Sequence, residues 1–232
     1  MSTKRIWLLP VTQNVLICLI ACTASVFGRS GTPPNNSTGA PGHNNCAQCH
    51  TSSGNGNVSL SFPGNSGYNP GQNYSLSVLV TDPTKTRFGF SMVARDTSNN
   101  TVDVGTWSAG SNDTQTHGPG GSHVGHRNAP FDQGSHTFTV NWQAPASGVG
   151  DVTFYVASVA ANGNGINGTG DNVYLRQLTI SQQLPPNQSP SLTVPGGTLD
   201  VVAEVATAIA GISVDDADAG AGNVTVTLSA DN

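Results

Sequence analysis

Charge is scarce in this chain. Lys, Arg, Asp and Glu together make up 9% of its 232 residues, and the formal net charge is −5. That surface has no basic face for a phosphate backbone, so nucleic acid is excluded as a partner. Cysteine is almost absent, with four in all. Two of them, Cys18 and Cys22, fall in an apolar amino-terminal segment. Beyond that segment no helical periodicity of useful length appears. Nucleophile motifs, paired carboxylates and phosphate-binding loops are missing too, which removes most enzyme classes. Gly, Asn, Ser and Thr fill the polar role, and the chain holds 28 Gly and 14 Pro. Such a composition suits an exported β-protein with many turns better than a cytosolic helical enzyme.

The first 28 residues read as an export signal. Lys4 and Arg5 form a positive start, and Ile6 to Ala21 are mostly apolar but broken by Pro10, Gln13 and Asn14, too interrupted for a membrane span. Two processing routes stand. Leu19-Ile20-Ala21-Cys22 resembles a bacterial lipobox, which would lipidate Cys22 and anchor the chain to a membrane. Small residues at Ala24, or from Val26 to Gly28, suit an ordinary signal peptidase. Either route takes the chain out of the cytoplasm, to the periplasm, outer membrane or surface of a bacterium.

Export leaves Cys46 and Cys49 as the thiols available for chemistry. They stand in Cys46-Ala47-Gln48-Cys49-His50, the spacing that attaches a c-type haem. Two sulfurs add across the two vinyl groups, and the adjacent imidazole swings under the ring to ligate iron. Two other readings remain. A Cys46–Cys49 disulfide would close a loop so small that it constrains little of the unfolded chain. A zinc site would need two further ligands from His43, His50, His117, His123 or His126. Haem attachment explains both thiols and His50 together.

The rest of the pattern is β. Residues 29–57 form a Gly/Pro/Asn/Ser-rich lead-in without regular structure apart from the haem loop. Strands are expected at 58–62, 74–81, 87–95, 102–107, 138–142, 152–160 and 173–180. Tyr74, Leu76, Val78 and Val80 share one face, as do Phe88, Phe90, Met92 and Ala94, and Phe138, Val140 and Trp142. Many short strands separated by turns, with no helices, predict an all-β, Ig-like antiparallel sandwich over 58–181. Met92 lies in an apolar stripe, so it is read as core rather than as a ligand to iron.

Several stretches together resemble the bacterial choice-of-anchor V domain, a relative of the animal Reeler (reelin amino-terminal) domain. They are Thr38-Gly39-Ala40-Pro41-Gly42 before the cysteines, Tyr68-Asn69-Pro70-Gly71-Gln72-Asn73-Tyr74, Arg87-Phe88-Gly89-Phe90, Gly105-Thr106-Trp107, Trp142-Gln143-Ala144-Pro145, and Val152 to Tyr155 leading to Ala161-Asn162-Gly163-Asn164-Gly165. The resemblance covers about residues 37–181. It implies a Reeler-like sandwich in an exported or surface-attached protein, without naming a substrate. In that pattern a histidine recurs ahead of the Trp-x-Ala-Pro strand. Gly125-His126 matches the place, making His126 the first candidate for a second axial iron ligand and His123 the next. Exposed loop histidines are the plainer reading of the same residues, and His136 is read as partly covered at a strand start. Bis-histidine iron would suit electron transfer, whereas an open sixth site would admit gas or peroxide chemistry. Asp171 and the Asn/Gly-rich 162–172 segment read either as a cation site or as a solvated loop.

After Ile180 the composition changes. Residues 182–190 are a Pro-rich linker. Residues 191–232 resemble part of a bacterial cadherin-like repeat, with Asp215, Asp216 and Asp218 as candidate calcium ligands. Some forty residues supply too few strands to close a sandwich, so the natural protein is expected to continue past Asn232. Two functions follow from the sequence. One is an exported haem c protein that passes electrons to a partner protein. The other is a haem-free adhesive surface module with a Cys46–Cys49 disulfide and a glycan or protein ligand.

Overall fold

The computed structural model describes residues 29–50, 54–63, 67–166 and 170–183, and in the carboxy-terminal part 188–194, 196, 210–216, 218 and 225. The export signal, with Cys18 and Cys22, lies outside the described residues, as does most of the module after Val194. The chain divides into two compact units, Met1–Gln183 and Leu184–Asn232.

Among the described residues of the first unit, nine strands build two antiparallel sheets. Strand β1 (Asn57–Ser61), β2 (Asn73–Thr81), β4 (Thr106–Ala109) and β7 (Ser135–Gln143) form one sheet in the order β1-β2-β7-β4. The other has the order β5-β6-β3-β8-β9, from β3 (Arg87–Asp96), β5 (Thr114–His117), β6 (His123–His126), β8 (Val152–Ala161) and β9 (Asn172–Ile180). Alternation along β2 and β7 buries Leu76, Val78, Val80, Phe138, Val140 and Trp142. These join Phe88, Phe90, Met92, Phe154 and Val156 of the second sheet in one apolar core, the packing of a β-sandwich. Met92 is fully buried, as its stripe predicts. At the centre Trp142 packs edge-on to Phe154 and donates its indole N–H to the Val104 carbonyl at 3.1 Å. Burying its one polar atom thus leaves no unmade hydrogen bond.

Two expectations need correction. The fourth strand begins at Thr106, not Val102, because Gly105 has φ 73° and its backbone cannot continue a ladder. The Gly-rich stretch before β7 is not an open loop. It forms a β5–β6 hairpin in which His117 pairs with His123 and Thr114 with His126, and all three histidines are buried.

Strand β3 is buried on both faces from Phe88 to Ala94, although a sandwich strand normally wets one. Its outer face is covered by residues 29–50. Ser37, Thr38 and Ala40 of this segment are themselves buried. Their only regular piece is a single 3-10 turn, Cys46–Gln48, capped by the Asn45 side chain accepting from the Ala47 N–H at 2.8 Å. The lead-in is irregular, as expected, yet it is a packed layer.

In the second unit, β10 (Ser191–Thr193) and β11 (Ser213–Asp215) pair antiparallel. The Asp218 carboxylate accepts from the Gln188 N–H, and the Asp216 carboxylate from the Asp218 N–H. Among the described residues no three His, Cys, Asp or Glu side chains form a metal-holding group.

Candidate functional site

The lead-in is clasped to the outer sheet by Arg95 of β3. Its guanidinium donates to the carbonyls of Pro41 (2.7 Å) and Asn100 (2.5 Å), pairs with Asp103 at 3.0 Å, and meets His43 Nε2 at 2.7 Å. An arginine can serve four acceptors at once because its donors are fixed in a planar fork. The other nitrogen of His43 contacts Thr38 Oγ1 at 2.9 Å. His43 then stacks edge-on against His123, which neighbours His117, with ring centroids 5.2 and 5.4 Å apart. Gly118 has φ 79°, and a side chain there would collide with the His123 ring. Burial lowers the basicity of all three imidazoles, and His117 is depressed to about 4. Both ring nitrogens of His123 and Nδ1 of His117 lack hydrogen-bond partners among the described residues, with the Asp103 carboxylate 3.9 Å from His123 Nε2, and burial disfavours the charged form of each ring.

The clasp delivers Cys46, Cys49 and His50 onto the sheet. They line a cavity of about 340 Å³ with Gly89, His126 and Val159. Both cysteines are free thiols, so the disulfide expected in the surface-module reading is not made in this structure. Burial pushes the Cys46 thiol up to about 12.

His50 is oriented by a residue far away in sequence. Its Nδ1–H donates to Asp171 Oδ2 at 2.8 Å, and the other carboxylate oxygen accepts from the Asn162 N–H at 3.0 Å. Asp171 is 3% exposed, so the solvated-loop reading fails for it, and its side chain turns to His50. The carboxylate acceptor places a proton on Nδ1, so in the neutral ring Nε2 is the nitrogen with the lone pair. A carboxylate on the far nitrogen both aims the ring and strengthens it as a donor to a metal.

His126 faces the same cavity and is 7% exposed, so the exposed-loop reading fails for it. The backbone of Phe90 offers both its N–H and its carbonyl at 3.1 Å from Nδ1, and Nε2 meets the Arg29 carbonyl at 3.2 Å. Either tautomer is therefore hydrogen-bonded. Burial lowers its basicity, and the His50 ring nearby adds to the effect. Gly89 makes the room, since a Cβ there would stand 2.8 Å from His126 Nδ1. His123, the second choice from the sequence, belongs to the clasp and not to this cavity. His136 sits at the start of β7 between Asp113 and Asp132, stacked on Phe138 at 4.5 Å.

Sequence reasoning missed Asp171 as the partner of His50, along with Gly89 and Arg95. Only Gly89, inside the Arg87-Phe88-Gly89-Phe90 signature, carried a local signal.

No curated protein matches this chain. Among solved structures it is similar to the reelin-N domain of F-spondin, with 19% identity over 60% of this chain and 95% of that one and a TM-score of 0.43. A human F-spondin reeler domain fragment gives 20% identity over 54% and 92%, with a TM-score of 0.41. BslA, a bacterial hydrophobin, gives 9% over 58% and 99%, with a TM-score of 0.33. The Reeler domain family model matches residues 37–164, more than half of the chain, from the residues just ahead of the two cysteines into the loop after β8. Reeler domains are non-enzymatic modules of secreted or extracellular proteins, and this chain belongs to the Reeler domain family.

Proposed function

We propose that this chain is an exported electron-transfer protein carrying one covalent haem c, a bacterial Reeler domain of the choice-of-anchor V kind. One observation carries the reading: both thiols, His50 and His126 line a single cavity within the size range of small-molecule sites. Nothing in the sequence spacing required His126, 76 residues beyond His50, to face the same space.

The residues fit such a group. Cys46, half-buried, and Cys49, exposed, are free for thioether bonds. His50 would hold the iron through Nε2, with Asp171 accepting from Nδ1–H. His126 would be the second ligand through Nε2, its Nδ1–H donating to the Phe90 carbonyl in place of the present contact of Nε2 with the Arg29 carbonyl. When bound, the haem supplies a one-electron centre, tuned by its axial ligands and by burial. The partner in this role is a redox protein.

The test is the full-length chain expressed with a haem c maturation system. A c-type absorption spectrum that persists in denatured protein under pyridine haemochrome conditions is expected, and Cys46→Ala with Cys49→Ala should abolish it. His126→Ala should convert a low-spin spectrum into one that binds added cyanide or carbon monoxide readily. A colourless wild-type protein would overturn the proposal and leave the haem-free surface module.

A further inference from the structure

We infer that Arg87 and Arg29 receive the two haem propionates and so fix which way round the haem lies; this rests on the haem reading above. The cavity under the cysteines adjoins a second of about 120 Å³, and the two share Arg29, His50, Gly89, His126 and Val159. Cys46 and Cys49 line only the first, Arg87 and Asp171 only the second. A haem carries its vinyl groups on one edge, its propionates on the opposite edge and its iron between them. With the vinyls at the cysteines and the iron between His50 and His126, the propionates fall on the side of the second cavity.

That side is built for anions. The Arg87 guanidinium is held in place by its Nε donating to the Ala129 carbonyl at 3.1 Å and by stacking over Phe131 at 4.2 Å from the ring centroid. Those contacts use one N–H and one face, leaving the four Nη hydrogens for a carboxylate, which a guanidinium meets bidentately. Arg29 is exposed and lines both cavities. Asp171, the carboxylate on that side, is already committed to His50 and the Asn162 N–H. Two arginines facing two propionates balance the charge that those two groups bring. Without them, the carboxylate of Asp171 would stand beside two more negative groups in a partly dry site, an arrangement that is costly.

The sign of the effect on the iron follows. A positive charge near the haem favours the ferrous state, so removing one lowers the midpoint potential. Arg87→Gln should lower the ferrous-to-ferric ratio at fixed ambient potential by about tenfold, or about 59 mV for a one-electron couple. Arg87→Lys, which keeps the charge, should restore most of the shift. Arg176→Gln on β9, which lines neither cavity, should leave the potential unchanged. Spectroelectrochemical titration of the haem-loaded full chain reads all three, and if Arg87→Gln fails to fold, Arg29→Gln at the exposed end carries the same test. A glutamine variant that shifts no more than Arg176→Gln would overturn the inference while leaving covalent haem in place. Wild type without covalent haem would instead overturn the reading beneath it.

Discussion

Acid should loosen the clasp that holds the cysteine-bearing segment to the sheet. His117 is 8% exposed and its folded basicity is depressed from 6.5 to about 4, first by burial and then by the neighbouring His123. In the unfolded chain the same ring takes a proton below about 6.5. Between those two values the unfolded state therefore binds more protons, and stability falls as pH falls through that window. At about 1.4 kcal/mol per pH unit, the His117 share is about 3 kcal/mol. With a urea slope of about 2 kcal/mol per molar, typical of small domains, it moves the unfolding midpoint by about 1.5 M. The assay is urea unfolding of the mature chain at a series of pH values from 7 to 4, for wild type and His117→Gln. Glutamine still reaches Ser91 but does not titrate. The variant should lose less stability than wild type on acidification, by about that amount, and the two curves should converge toward pH 4. Curves that stay parallel across the window would refute the reasoning, because they would mean that the buried ring is not held neutral by the fold.

Three further outcomes can be checked by the same methods. Trp142→Ala opens the centre of the sandwich and orphans the Val104 carbonyl; a loss of about 3–5 kcal/mol is expected in urea unfolding. Asp171→Ala strips His50 Nδ1–H and the Asn162 N–H of their shared acceptor, costing about 2–3 kcal/mol in the haem-free chain and lowering the yield of correctly ligated haem. Gly89→Ala puts a methyl group 2.8 Å from His126 Nδ1. The strain should cost about 1–3 kcal/mol in thermal unfolding and perturb the low-spin spectrum more than Gly31→Ala does, a site with open space and, like Gly89, no left-handed backbone.

The sequence by itself determined the sandwich, because period-two alternation over β2, β3 and β7 leaves one way to bury Leu76, Phe90, Phe138 and Trp142 together. It also determined the candidate chemistry at Cys46, Cys49 and His50, which is contiguous and so survives without a fold. The missed features are those made by contacts between distant strands. The β5–β6 hairpin was hidden by its glycines, since the composition that signals an open loop also permits the close approach of His117, Gly118 and His123. Burial of both faces of β3 was invisible because the covering layer, residues 29–50, has no periodicity of its own. Asp171 reaches His50 across 121 residues of chain, and no local pattern encodes such a pairing. Tertiary structure alone decided that Cys46, His50 and His126 look into one space, because only packing of the clasped lead-in against the outer sheet brings those side chains within reach of one another.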